Sequence, residues 1–338
     1  MNDVVLALYS DRLFMAAVAV YVLAMALHAA EYAAARARRV PAAVGAAPSA
    51  LRSHSADVGA VGPHYGSEAQ GSAAPDASPG SDPSSVSDPP RRGTAERLGA
   101  VAVNLVVLGV VLHAASLVTR GLATDRWPLG NMYEFTSAIA LAAVVAWLVV
   151  LRRNPALRAV GLFVLLPVVV LLFLAGTVLY ARAAPVVPAL RSYWLVVHVT
   201  TITVSSGLLL VPGVASLLYL LRRSGRAAAL AERLPSANTL DRLAYRTTVV
   251  AFPLYTFGVI AGAVWAEAAW GRFWGWDPKE TVAFVAWVVY AAYLHARATA
   301  GWRSGRAAWI NVAGFAVVLF NLFFINMVVA GLHSYAGI

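Results

Sequence analysis

Apolar residues gather along this chain in eight long blocks, near residues 12–31, 99–119, 134–151, 160–180, 195–221, 247–267, 281–300 and 308–331. Each approaches the roughly 20 residues that a helix needs to cross a bilayer. Lipid offers no hydrogen bonds to an open backbone, so all eight blocks are predicted to be helices. The fold class expected is therefore all-α, a polytopic membrane protein with about eight transmembrane helices. One interval breaks the pattern. Residues 35–97, including "GSAAPDASPGSDPSSVSDPPRRG", are rich in Pro, Ser, Gly and Ala and show no apolar period, the mark of a disordered linker. The expected organisation is a single transmembrane helix (1–34), this cytoplasmic linker (35–97) and a membrane domain (98–338).

Composition agrees with the pattern. The chain is 60% hydrophobic and 12% charged, about half the charged share of a soluble domain. The net charge of +10 does not signal nucleic-acid binding, because the arginines cluster in short segments between apolar blocks. If the first helix starts outside, 19 of the 26 basic residues fall in cytoplasmic segments. The positive-inside rule then places both termini, and the 265–281 segment, on the outer face. The first block has no basic region ahead of it and reads as a retained helix. With no cysteine, the chain forms no disulfide or thiolate, so any thiol chemistry in its pathway belongs to another molecule. It has no G-x-x-x-x-G-K-[ST] stretch and hence no sign of ATP hydrolysis.

The chemistry-bearing residues are few. His54 and His64 fall in the linker, while His28, His113, His198, His295 and His333 fall in or beside predicted helices. His198, near the start of the fifth helix, and His333, after the eighth, share the outer level. His295 falls about 14 residues into the seventh helix, roughly 20 Å deep at 1.5 Å per residue and in the inner half. His28 lies at a similar depth on the first helix, and His113 in the outer half of the second. Imidazole ligates metals and haem iron readily, although one histidine in a membrane helix is more often a packing residue.

The most unusual stretch is "WAEAAWGRFWGWDPKE", residues 265–280, which carries four of the ten tryptophans and the only lysine. Trp265, Trp270, Trp274 and Trp276 offer flat polarisable surfaces, and Gly271 and Gly275 permit close backbone approach. Arg272 and Lys279 suit carboxylates, while Glu267, Asp277 and Glu280 suit balancing those cations or orienting the histidines. An interfacial aromatic belt accounts for Trp127, Trp194 and Trp309. It does not account for four tryptophans interleaved with glycine and followed by "DPKE". The set suits a planar, apolar, dianionic ligand such as haem.

"WGRFWGWDPKE" resembles the WWD signature of the haem-handling proteins of cytochrome c maturation. With "RWPLGNMYEF" (126–135), "SYWLVVHV" (192–199), "YLHAR" (293–297) and "LHSYAGI" (332–338), the chain is most similar to the CcsA (ResC) family of the system II pathway. The resemblance covers most of 99–338, and the insertion after the first helix stands outside it. It implies that His198 and His333 ligate the iron of haem at an outer site, held by the WWD loop of 265–281. It implies a second, inner haem at His295, whose other ligand belongs to a CcsB/ResB partner subunit. It leaves His28 and His113 unassigned. The implied role is the haem-handling subunit of a cytochrome c synthase (haem lyase) complex in a bacterial plasma membrane, with thylakoid as the lesser expectation. It presents haem for covalent attachment to C-x-x-C-H apocytochromes, with a thiol-reducing partner in the pathway. Two other readings share the ligands: a haem transporter or delivery module without attachment chemistry, and a haem b membrane redox protein. The second is disfavoured because no helix carries two histidines.

Overall fold

A computed structural model describes residues 2–37, 93–185, 192–225, 228–231, 233–299, 302 and 305–333. Most of the expected linker, together with His54 and His64, lies outside the described residues. The described chain is all-helical, with eight helices long and apolar enough to cross a membrane. They are α1 (Asn2–Ala37), α2 (Thr94–Thr124), α3 (Met132–Arg153), α4 (Gly161–Thr177), α5 (Tyr193–Ser224), α6 (Ala237–Trp270), α7 (Pro278–Ala298) and α8 (Gly305–Phe320). A 3-10 stretch, Pro155–Val160, leads into α4, and α8 continues through a π turn, Asn321–Ile325, into Asn326–Val328.

Several helices outrun their apolar blocks. The first starts at residue 2 rather than 12, and α6 at 237 rather than 247, because helical backbone continues through polar interfacial turns such as "ANTLDRLAYR". Apolar content marks the lipid-buried part alone. Hydrogen-bond caps mark the ends, as where Asn131 accepts from the Glu134 N–H at the start of α3.

The bundle has two packed groups. In the first, α1 lies along α2, with α4 against α1 and α3. In the second, α5 lies along α6, with α8 against α5 and α7. The α3–α5 contact joins them. The main core runs through the first group and into α5, around Phe14, Tyr21, Tyr133, Trp147 and Leu210. A smaller one, around Leu209, Tyr255, Tyr290 and Val318, fills the second.

An ion cluster knits one end of the first group. The fully buried Glu134 accepts from Arg120 Nε at 2.7 Å, from Arg126 at 2.7 and 2.9 Å, and from the Gly130 N–H at 2.8 Å. Arg120 also reaches Asp11 at 3.6 Å and the Ala181 carbonyl, and the Tyr180 hydroxyl donates to Asp11 at 2.7 Å. These bonds fasten α1, α2, α3 and the segment after α4 at the end of the bundle where α5 begins. A carboxylate so deeply buried is tolerable only because its oxygens are fully engaged. Glu134→Ala is therefore expected to cost about 3–5 kcal/mol by stranding two guanidinium groups, read as a shift in denaturant unfolding in detergent; an unshifted transition would refute the stapling role.

Candidate functional site

At that same end, α5, α6, α7 and the chain segment after α8 bring His198 and His333 to a common cavity. His198 is the sixth residue of α5, roughly 8 Å along it. Its Nδ1–H donates to the Gly258 carbonyl of α6 at 2.8 Å. A carbonyl only accepts, so this bond assigns the ring tautomer and leaves Nε2 with the lone pair. The ring fits because Gly262, one turn further on, has no side chain: a Cβ there would stand 2.6 Å from His198 Cε1. The Gly258-x-x-x-Gly262 spacing thus brings α6 close to α5 and makes room for the imidazole.

The position of His333 is set by Asp277. That carboxylate is the N-cap of α7, accepting from the Lys279 N–H at 3.2 Å. Glu280 returns the capping box by accepting from the Asp277 N–H. The same carboxylate accepts from the Leu332 N–H at 2.7 Å and from His333 Nδ1 at 2.8 Å. Burial pushes the Asp277 carboxyl up, but the hydrogen bond from His333, the Leu332 N–H, the His333 charge and the Lys279 N–H together bring it down to about 2. It is an anion at neutral pH, and it holds His333 Nδ1 as the donor, so that the neutral form of the ring has its lone pair on Nε2.

Aromatic rings close the site. The Trp265 indole stacks nearly parallel to His198, centroids 6.0 Å apart, and meets His333 edge-on at 5.9 Å. Trp270 packs on Trp265 at 4.7 Å and on His333 at 5.3 Å. With Trp274, Phe273, Lys279, Glu280 and Asn321 they line a cavity of about 90 Å3. Pockets that enclose drug-sized ligands run to roughly 300–1,000 Å3, so the cavity is contracted.

Comparison with known proteins bears on this site directly. The family model described as "Cytochrome C assembly protein" matches residues 129–333, which include both histidines and the tryptophan segment. The chain belongs to the cytochrome c assembly protein family. A cytochrome c biogenesis protein CcsA from Parasynechococcus marenigrum (strain WH8102) is 38% identical over 68% of this chain and 85% of its own length. One from Prochlorococcus marinus (strain MIT 9303) is 40% identical over 70% and 84%. One from Chlamydomonas reinhardtii is 35% identical over 70% and 69%. As a member of this family, the chain is a multi-pass membrane protein of cytochrome c biogenesis.

The tryptophan segment, expected as one loop over 265–281, is not one loop here. The helix-forming "WAEAA" carries α6 through Trp270, Gly271 ends it in the left-handed region at φ 69°, and only 271–277 is irregular before α7 begins at Pro278. Trp265 is consequently buried (1% exposed), whereas Trp276 is 68% exposed. Trp276 adopts φ 58°, a strained state for a bulky residue. It is pinned on both sides: Glu280 accepts from the Gly275 and Asp277 N–H groups, and Thr281 Oγ1 donates to the Trp276 carbonyl. Arg272 pairs with Glu280 at 3.3 Å and lies 5.7 Å over Trp270. Glu267 stays exposed on α6, taking part only through its carbonyl.

The Lys279 side chain reaches across to the segment after α8. Its ammonium donates to Asn326 Oδ1, and the Asn326 amide donates to the Leu322 carbonyl at 2.6 Å and the Asn321 carbonyl at 3.3 Å. Those carbonyls lie in the π turn that links α8 to the segment carrying His333. The lone lysine thus braces the backbone bend that returns the chain toward Asp277. Asn326 and Gly258 carry no signal in composition, though "GVIAG" (258–262) is a readable small-x-x-x-small spacing.

The remaining histidines stand apart. His295 falls in the last turn of α7, near the opposite end of the bundle and closer to that surface than the apolar block implied, and it is exposed on the bundle's side. Buried His28 pairs with Glu31 at 3.3 Å, which in turn pairs with Arg158 at 2.6 Å. His113, fully buried, bonds Ser137 at 2.8 Å. Lys279→Met is expected to weaken the π turn by about 1–3 kcal/mol, since Asn326 loses its partner. Hydrogen exchange should then quicken across 321–333 and stay unchanged in α1 to α4; unchanged exchange across 321–333 would refute the brace.

Proposed function

We propose that this protein presents haem on the outer face of its membrane for covalent attachment to apocytochromes, with His198 and His333 as the iron ligands. The observation that carries the reading is a matched pair of hydrogen bonds behind the rings: each imidazole commits Nδ1 to an oxygen, Gly258 or Asp277, which fixes its orientation in the shared cavity. Two such rings beside stacked indoles fit an iron porphyrin's donor and surface requirements. The contracted cavity means that loading includes an opening of the site.

Haem, when bound, supplies vinyl groups whose C=C bonds each take up one cysteine S–H, forming a C–S and a C–H bond with no net redox change. The chain's own residues do the holding. Asp277 stays anionic and keeps His333 oriented, Gly262 leaves the His198 ring its place, and Trp265 and Trp270 pack around both rings. Arg272, beside Trp270 and Glu280, is the cation placed for a propionate. Phe273, exposed at the cavity's edge, borders the side where a C-x-x-C-H peptide has access, and exposed Trp276 lies beside cavity-lining Trp274. The thiols come from that peptide, as a chain without cysteine requires. His295, exposed on the side of α7, is proposed as one ligand of an inner haem whose second ligand comes from a CcsB/ResB-type subunit. The arginine distribution supports an orientation with both termini outside.

His198→Ala and His333→Ala should each alter the haem absorption spectrum of the purified protein, with partial recovery in added imidazole. Unaltered spectra in both variants would refute the ligand assignment. Asp277→Asn, which keeps the ring's neighbour but removes its charge, should weaken haem binding by roughly 10–100-fold, measured by haem titration of the protein stripped of haem. Co-expression with a ResB-type subunit and an apocytochrome separates attachment from delivery. Covalent cytochrome c that forms only with this chain supports attachment, and free haem accumulating outside supports delivery alone.

A further inference from the structure

A second cavity, much larger than the one at the histidines, lies away from them. It is a furrow of about 1,350 Å3 between α2 and α6, floored by α3 and α5. Over most of its length the walls are apolar, with Leu117, Leu141, Val145, Val204 and Val250 among them. Such a surface in a membrane is filled by acyl chains or by another helix. The end near the starts of α4 and α6 decides between them.

There Arg153, at the last residue of α3, and Arg242 and Arg246, in the first turns of α6, all line the furrow. All three side chains are exposed. Arg242 spends only its Nε, on Asn238 at 3.3 Å. Among the described residues, none of the three pairs with a carboxylate. The nearby Asp241 is already taken by Arg297, in a two-point bond of 2.8 and 2.9 Å. Among the described residues, the only acid lining the furrow, Asp125, is at its other end. Uncompensated guanidinium groups gathered above an apolar slot match a phosphate carrying hydrocarbon chains, since planar forks bind phosphate oxygens two at a time. The furrow also runs between the two packed groups of helices, so an occupant touches both.

We propose that this furrow binds an anionic glycerophospholipid from the leaflet at that end of the bundle. Its phosphate lies among Arg153, Arg242 and Arg246, and its acyl chains run between α2 and α6. The lipid then contributes to cohesion between the α1–α4 and α5–α8 groups.

The chain's lack of cysteine makes the test direct. A fluorophore on Val145→Cys, in nanodiscs of brominated phosphatidylglycerol or brominated phosphatidylcholine at matched fractions, reports acyl-chain occupancy by quenching. The expected result is a preference of about tenfold for phosphatidylglycerol. The preference should vanish in the Arg153→Gln, Arg242→Gln, Arg246→Gln triple variant, whose exposed substitutions spare the core. Phosphatidylglycerol should also raise the unfolding temperature of the natural protein more than that of the variant. Equal quenching by the two lipids would overturn the proposal, as would a preference that survives the triple substitution. So would a fluorophore shielded from both lipids by a partner helix in the furrow. None of these readouts depends on haem, so the proposal fails or stands separately from the ligand assignment.

Discussion

The candidate site depends on one carboxylate. Asp277 caps α7, receives the backbone of Leu332 and fixes the ring of His333, so a single anion ties together helix, loop and chain end. Each role reinforces the others. The capping geometry gives the carboxylate a defined direction, and the three N–H donors keep it ionised despite burial. That anchor brings the segment after α8 back over the bundle, where Trp265 and Trp270 pack on the same imidazole. The π turn and its Lys279–Asn326 brace bend the chain in the required direction, but Asp277 ends the path.

Polar groups inside this apolar bundle are arranged by the same logic. Water is not at hand to satisfy them, and the charged groups and site histidines at the site's end of the bundle are matched by protein. Glu134 is saturated by two arginines and a backbone N–H, and His198 by a carbonyl that helix geometry leaves within reach. The matching is densest at one end, where the ion cluster steadies α1 to α4 and the histidine site joins α5 to the end of α8. Phe135 and Ile139 of α3 reach the cavity that holds the histidines, so the stapled half and the site-bearing half meet there. The strained Trp276 belongs to this end too, an indole held outward at a conformational cost that the neighbouring Glu280 bonds offset.

Much of this protein was readable from its residues. Eight apolar blocks determined eight helices, because in lipid no other local structure satisfies the backbone. The WWD segment and its flanking stretches pointed to the cytochrome c assembly protein family, and spacing alone put His198 and His333 at one level. Helix ends were less legible, since polar interfacial turns continue helical without an apolar signature. The tertiary structure decided the rest. It divided the tryptophans between a helix end and a loop, buried Trp265 against both histidines, and exposed Trp276. It sent Lys279 to Asn326 and brought Asp277 to His333 across 56 positions of chain. Periodicity and motif report what a residue's own neighbourhood demands. How a histidine ring is oriented depends on an oxygen delivered by a distant element, and only packing supplies that oxygen.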